Sequence, residues 1–386
     1  MNIQFPSGSG IQGFVYWLVS QIMGWGWVSY GFAIVFFTLF IKLMLSPLDF
    51  LNRFFSRRTQ LKQQALAGEV ADLEKIYKND PLGLTRARQA LYQKNGVGGL
   101  GSSLIALTSI IVTMVVFFQV MGALNNISNH NMHLQYVELQ AVYHEYMYDE
   151  NDQLIDLESM DETARAELET NLSAALNEKY QATNIKFGWI KNIWQPDNPL
   201  SSAVKSVNDY NKSQSKVNRL TTDEQKAEYN AIYSYIKAKN QSNGWFLLAV
   251  LSAVTIFLSM RINMLMQKRN APQKPAAKKD EPVITYSLRD AKEQGAAPEQ
   301  PMIDPAQMGK MMMWMMPIVY VFFATMQTSA FAIYMIASSV VSTGLSVCFG
   351  FVIDLILKHM KKPTITKEFD ATVINPHAKY FKGGKK

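Results

Sequence analysis

Residues 32–48 read FAIVFFTLFIKLMLSPL, an apolar run interrupted by one lysine, Lys42, and closed by Pro47 and Leu48. A helix of about 20 apolar residues crosses the roughly 30 Å hydrocarbon core of a bilayer. An ammonium group at the centre of that layer costs at least about 2.5–3.5 kcal/mol. The position of Lys42 therefore calls for water or a partner.

Outward from this run, five segments are long and apolar enough to span: 28–50, 101–122, 244–266, 308–326 and 330–353. The last two are separated by residues 327–329 alone and must form a tight hairpin. The 386 residues are 48% apolar, yet the mean hydropathy is −0.04, so very apolar and very polar segments alternate. The single cysteine, Cys348, lies in an apolar run, which excludes an intrachain disulfide and a thiolate zinc cluster. No Lys or Arg precedes the first apolar stretch and no small-residue cleavage pattern follows it, so the first membrane segment is expected to stay in the mature protein.

Basic connections stay on the cytoplasmic side. Residues 51–100 hold nine basic and four acidic side chains, 261–310 nine and six, and 351–386 eight and three. The connection 123–243 holds eleven and seventeen. With five spans this places the N-terminus (1–27) outside, 51–100, 267–307 and the tail 354–386 in the cytoplasm, and 123–243 outside.

Ile11, Phe14, Val15, Leu18, Ile22 and Trp25 recur at helical spacing, and Trp17, Trp25 and Trp27 suit the headgroup level. Either an interfacial helix or the first turns of the spanning helix follows. Segment 51–100 reads as two helices broken at Asn79–Pro81, with Leu66, Val70, Leu73 and Tyr77 as an apolar stripe. Segment 267–307 is rich in Pro, Ala and Lys without periodicity and reads as flexible. Outside, 160–180 and 221–239 have helix starts at Asp161 and Thr222, and FGWIKNIWQPDNP (187–199) reads as a return toward the membrane surface.

No phosphate loop, nucleophile elbow or zinc-protease motif is present. His130 and His133 form an H-x-x-H without a third ligand at regular spacing, and the methionines of MGKMMMWMMP (308–317) suit adaptable packing better than Cu(I). The informative pattern is polar. Ser252, Thr255, Ser259 and Asn263 share one face of the third span, and Tyr334, Ser338, Ser342 and Ser346 one face of the fifth. Ser109 and Thr113 lie in the second span, and Thr38 and Ser46 each lie one turn from Lys42. These stripes form either a shared hydrophilic cavity or close helix packing with hydroxyls bonded to their own backbone. Lys42 is either the charge of that cavity or a side chain snorkelling toward headgroups near Asp49 and Asn52.

The sequence resembles the YidC/Oxa/Alb-type membrane protein insertases, and more nearly their five-span YidC-like members. IKLMLSPL is similar to the basic residue and Pro-Leu pair of the family's first core span, with Lys42 where most members have arginine. GEVADLEKIYKNDPLGLTRARQALYQKNGV (68–97) resembles the cytoplasmic hairpin, FGWI (187–190) the motif before the third span, and MMMWMMPIVYVFF with Tyr334 the last two spans. Departures are Ser109 where a glutamine is usual, Thr328–Ala330 for Pro-x-Gly, Ser339 for asparagine, and an acidic insertion at 126–186.

The resemblance implies an all-α membrane protein, a five-helix transmembrane bundle with a cytoplasmic helical hairpin and an enlarged extracytoplasmic loop, in a bacterial cell membrane. It implies an insertase and chaperone without chemical catalysis, cofactor or metal. Its groove would use Lys42, Thr38, Ser46, Ser109, Thr113, Ser252, Thr255, Ser259, Tyr334, Ser338 and Ser342, and its hairpin Glu69, Leu73, Tyr77, Asp80 and Tyr92. Partners would be nascent membrane proteins and the lipid bilayer. The basic tail, with Lys379, Lys382, Lys385 and Lys386, would meet the ribosome or anionic lipid, and the Sec translocon is a further expected partner. Alternatives are a small-solute or ion transporter using the same stripes, or an assembly scaffold for membrane complexes in which Lys42 is dispensable.

Overall fold

The computed structural model describes residues 3–77, 80–97, 100–151, 153–269 and 305–360. The expected flexible loop, except its ends, and the basic tail beyond Met360 lie outside these residues, as do the side chains of 305–314 with most of the methionine cluster. Among the described residues the chain is all-α, with isolated bridges and no strand. Its helices are α1 (Gly10–Met23), α2 (Tyr30–Ala65), α3 (Ala67–Ile76), α4 (Pro81–Lys94), α5 (Leu100–Met147), α6 (Glu162–Thr183), α7 (Val207–Ser213), α8 (Asp223–Ser234), α9 (Leu247–Arg269), α10 (Pro305–Met326) and α11 (Ser329–His359).

Four of these contain stretches long and apolar enough to cross a membrane: Tyr30–Ala65, Leu104–Met147, Leu247–Met266 and Ser329–His359. The remaining expected span lies within the 22 residues of α10, whose part with described side chains holds the apolar stretch Met315–Met326. The 48 residues of α5 extend about 72 Å at 1.5 Å per residue, more than twice the hydrocarbon thickness. No proline interrupts α5, so its apolar part gives way at Asn125 and Asn126 without a break in the helix.

Two compact units divide the chain, one comprising Met1–Leu45, Val112–Arg261 and Met312–Gly344, the other Ser46–Ile111, Ile262–Met311 and Leu345–Lys386. In the first unit, one core gathers Val15, Val19 and Ile22 of α1, Ile34, Phe37 and Ile41 of α2, Leu124 and Ile127 of α5, and Phe331 of α11. Six residues separate α1 from α2, so α1 is a helix in its own right, while Trp17, Trp25 and Trp27 remain exposed.

A second core in the same unit joins the polar half of α5 (Tyr136, Leu139, Tyr143) to α6 (Leu172, Leu176, Tyr180) and α8 (Tyr229, Ile232, Tyr233). Asp161 caps α6 through Thr163 N, and Thr222 and Gln225 form a reciprocal capping box on α8. The acidic connection is thus a folded helical region built on the continuation of α5. Lys205 lines a small polar cavity there with Tyr180, Tyr210 and Tyr233. Burial, partly offset by Asp209, lowers its pKa to about 8. Between about pH 8 and 10.4 the unfolded chain therefore holds more protons at this site than the folded one, so stability rises with pH across that window. Thermal midpoints of wild type and Lys205→Met over a pH series should diverge there, the variant lacking this contribution to the rise.

In the second unit, α3 and α4 form a hairpin around Leu66, Leu73, Ala87, Leu91 and Val97, flanked by Val70, Tyr77, Leu84 and Tyr92. Asp80 accepts from Gly83 N at 2.8 Å, and Pro81 occupies the first helical position where no N–H is needed. Arg88 pairs with Glu74 across the hairpin at 2.9 Å, and Lys62 Nζ donates to Asn95 O and Gly96 O at the end of α4. A Cβ at position 83 would lie 2.2 Å from Asp80 Oδ2. Asp80→Ala and Gly83→Ala should each weaken the hairpin by about 0.5–2 kcal/mol, measured as faster amide exchange across α4.

Candidate functional site

The second unit contains a polar cleft of about 280 Å³. One wall is a run of α2 at helical spacing: Asp49, Asn52, Arg53, Ser56, Arg57 and Gln60. Asn263 and Met266 come from α9, and Ser346, Gly350, Ile353 and Asp354 from α11. Arg53 Nη2 donates to Ser346 Oγ at 2.5 Å, and Arg57 Nε meets Asp354 Oδ1 at 3.2 Å. Below this polar seam Phe50 packs edge-on against Phe349. The lining offers both charge signs, amides and hydroxyls. It can hydrate or hydrogen-bond a polar segment, and no group of three metal-ligating side chains occurs among the described residues.

The sequence-derived residues distribute as follows. Thr38 is fully buried and donates to Ile34 O at 2.6 Å. Lys42 follows one turn later and is half-buried, between Ile41 in the core and the exposed Leu43 and Met44. It sits at the edge of the buried face of α2. Ser252 is fully buried with no hydrogen-bond partner for its hydroxyl, and Thr255 donates to Leu251 O at 2.8 Å. Ser259 pairs with Ser339 Oγ at 3.0 Å and with Thr343 Oγ1, which links α9 to α11. Tyr334 is buried and stacks on Phe331, while Ser338 and Ser342 are half-buried. Thr113, in the first unit, is exposed; Ser46 (half-buried) and Ser109 (buried) belong to the second.

Of the two serine stripes, Asn263 and Ser346 reach the cleft. Sequence reasoning did not single out Arg53, Arg57 or Asp354. Their signal was the recurrence of polar residues on α2 at 49, 52, 53, 56, 57 and 60, which resembles an ordinary cytoplasmic boundary. In the hairpin, Leu73, Tyr77 and Tyr92 pack in or against the core, Asp80 is the cap, and Glu69 stands in the first turn of α3 with Oε2 buried and unpartnered.

Within the first unit, the loop FGWIKNIWQPDNP forms a clamp. Ser329 donates to Gln195 O through both N (2.9 Å) and Oγ (2.6 Å), and Ala330 N donates to Ile193 O. Asn125 of α5 donates to Gln327 Oε1 at 2.7 Å, which fixes the same α10–α11 turn. Asp197 is fully buried and accepts from Trp245 N at 2.7 Å, Leu248 N at 2.6 Å and Trp189 Nε1 at 3.3 Å. It caps α9 from about fifty positions away in sequence, where Phe246 has a positive φ of 61° and no capping side chain of its own.

Residues 18–350 match the family model described as 60Kd inner membrane protein. Curated relatives named membrane protein insertase YidC include those of Clostridium tetani (33% identical over 90 residues, 23% of this chain and 39% of the relative) and Clostridium perfringens (31% over 112 residues, 29% and 44%). That of Oceanobacillus iheyensis is 30% identical over 125 residues, 30% of this chain and 48% of the relative. Each alignment spans less than half of the relative's length. No solved structure is matched.

Proposed function

Because the chain belongs to the 60Kd inner membrane protein family, the YidC/Oxa/Alb-type family that its motifs resemble, we propose that this multi-pass membrane protein is an insertase and chaperone for nascent membrane proteins. The observation that carries the reading is the polar cleft among α2, α9 and α11, helices that also expose large apolar side chains such as Leu43, Leu51, Leu258 and Phe351. An unpartnered polar group in hydrocarbon costs several kcal/mol, so a hydrated cleft shortens the crossing that a substrate's hydrophilic part must make. The apolar part of the substrate then passes into lipid without chemical catalysis.

In this mechanism Lys42 supplies a cation that attracts acidic residues of the translocating tail, and the hydroxyls of α9 and α11 keep the path wet. The groove opens to the cytoplasm and to lipid in this reading. The α3–α4 hairpin attends its mouth, and the basic tail meets the ribosome or anionic headgroups. The N-terminus lies outside and the C-terminus inside, as the charge bias of the connections favours. A photo-crosslinking side chain at Asn263 is expected to capture a short single-span protein during its synthesis, whereas one at Val217 in the acidic region is not. Equal capture at both positions, or none at Asn263, would remove the cleft from the substrate path.

A further inference from the structure

The folded acidic region comes back toward the membrane at one turn. The apolar part of α5 ends at Asn125 and Asn126, and the segment from α7 to α8 descends along α5 toward that end and climbs away again. Tyr210 Oη meets His133 Nδ1 at 2.8 Å, and four residues later Gln214 Nε2 donates to Asn129 O at 2.9 Å. After the turn, Leu220 is tied back to Asn211 by hydrogen bonds of 2.8 and 3.0 Å, and Glu228 stands beside Gln140 and His144. Residues 215–219 are therefore the low point of the excursion. Asn129 lies only about 5 Å past Asn126 at 1.5 Å per residue. Arg219 Nε donates to Gln214 O at 3.2 Å, which closes the turn into a fixed shape.

Residues 210–220 carry Lys212, Lys216 and Arg219 and no acidic side chain, in a connection where acidic residues outnumber basic ones seventeen to eleven. Lys216 and Arg219 are exposed, and Val217 between them is 91% exposed. An apolar tip flanked by cations matches a bilayer surface, where the apolar group sinks below the phosphates that the cations meet. A second exposed apolar pair stands where α9 begins: Trp245, and Leu200 beside it through the bond from Asn243 N to Ser201 O at 3.0 Å. We propose that the 215–219 turn is a lipid-docking tip: Val217 enters the headgroup layer beside α5, and Lys216 and Arg219 meet the phosphates of anionic lipid. The same phosphates repel the acidic remainder of the region, so its charge distribution selects which part faces the membrane. This docking is independent of the insertase reading.

The test uses the full chain with Cys348→Ala and one fluorescent label, at Val217→Cys or at Leu154→Cys. Leu154 is also exposed, but it adjoins the far end of α5, where Ile155 N donates to Met147 O, about 30 Å past Asn126. Nanodiscs with one lipid mixture on both faces make the result independent of orientation, and a lipid with a nitroxide on its headgroup is the quencher. The label at 217 should be quenched and the label at 154 should not. Adding phosphatidylglycerol to zwitterionic lipid should raise the docked-to-undocked ratio at 217. Lys216→Gln should lower that ratio about fivefold, the factor that one basic side chain supplies near an anionic surface, and Lys216→Glu should lower it further. Equal quenching at both positions, or a ratio indifferent to lipid charge or to Lys216, would overturn the proposal. So would a label at 217 shielded from both the nitroxide lipid and aqueous iodide, as a second copy or a protein partner would shield it.

Discussion

Replacing Lys42 by glutamate should cut insertion of single-span proteins with acidic outer tails by at least about tenfold, while Lys42→Arg keeps it. Two unit charges 4 Å apart interact by about 4 kcal/mol at the effective dielectric of a partly solvated site, and reversal turns that attraction into repulsion. A tenfold effect needs only about 1.4 kcal/mol of this. Lys42→Met loses the attraction without adding repulsion and should fall between. Lys42→Arg keeps the charge at this half-buried position on the edge of the α2 core face, which separates loss of charge from loss of the lysine itself. Protease protection of the substrate's tail is the readout, and normal insertion by Lys42→Glu would end the charge mechanism.

The largest loss of stability is expected at Asp197. Its carboxylate accepts from two backbone amides of the Trp245–Leu248 turn and from the Trp189 indole in a fully buried setting. Asp197→Ala strands these donors away from water, at about 1–3 kcal/mol for each, so a loss of at least about 3 kcal/mol is expected. Asp197→Asn keeps the shape and one acceptor and should lose less. Gly244 gives an independent check, because a Cβ there would lie 1.8 Å from Asp197 Oδ1. Gly244→Ala should therefore reproduce much of the defect with the carboxylate still in the sequence. Thermal midpoints in detergent report both changes, and an Asp197→Ala midpoint equal to wild type would show that the clamp contributes nothing.

The apolar runs were legible because span length and hydropathy are local properties; the all-α class and the hairpin stripe Leu66, Val70, Leu73 and Tyr77 followed from the same kind of signal. Caps at Asp161 and Thr222 were also local, set by residues two or three positions away. Asp197 was not, since its amide partners lie about fifty positions downstream and no spacing rule links them. The end of α5 was hidden for another reason: hydropathy marks where a membrane segment stops, and a helix with no breaker continues past it. The polar stripes were visible but ambiguous. Helical spacing groups Ser338 and Ser342 with Tyr334, yet Ser259 meets Ser339 and Thr343, one position round the helix. Arg53, Arg57 and Asp354 lay where boundary charges are ordinary, and only the approach of α2 to α11 distinguishes them.

The most direct measurement is insertion into proteoliposomes that contain this chain as their sole protein, followed by protease protection of several short single-span substrates with acidic outer tails. Insertion well above that of empty liposomes is the expected result. Insertion no greater than that of empty liposomes, for every substrate, would contradict the assignment as an insertase.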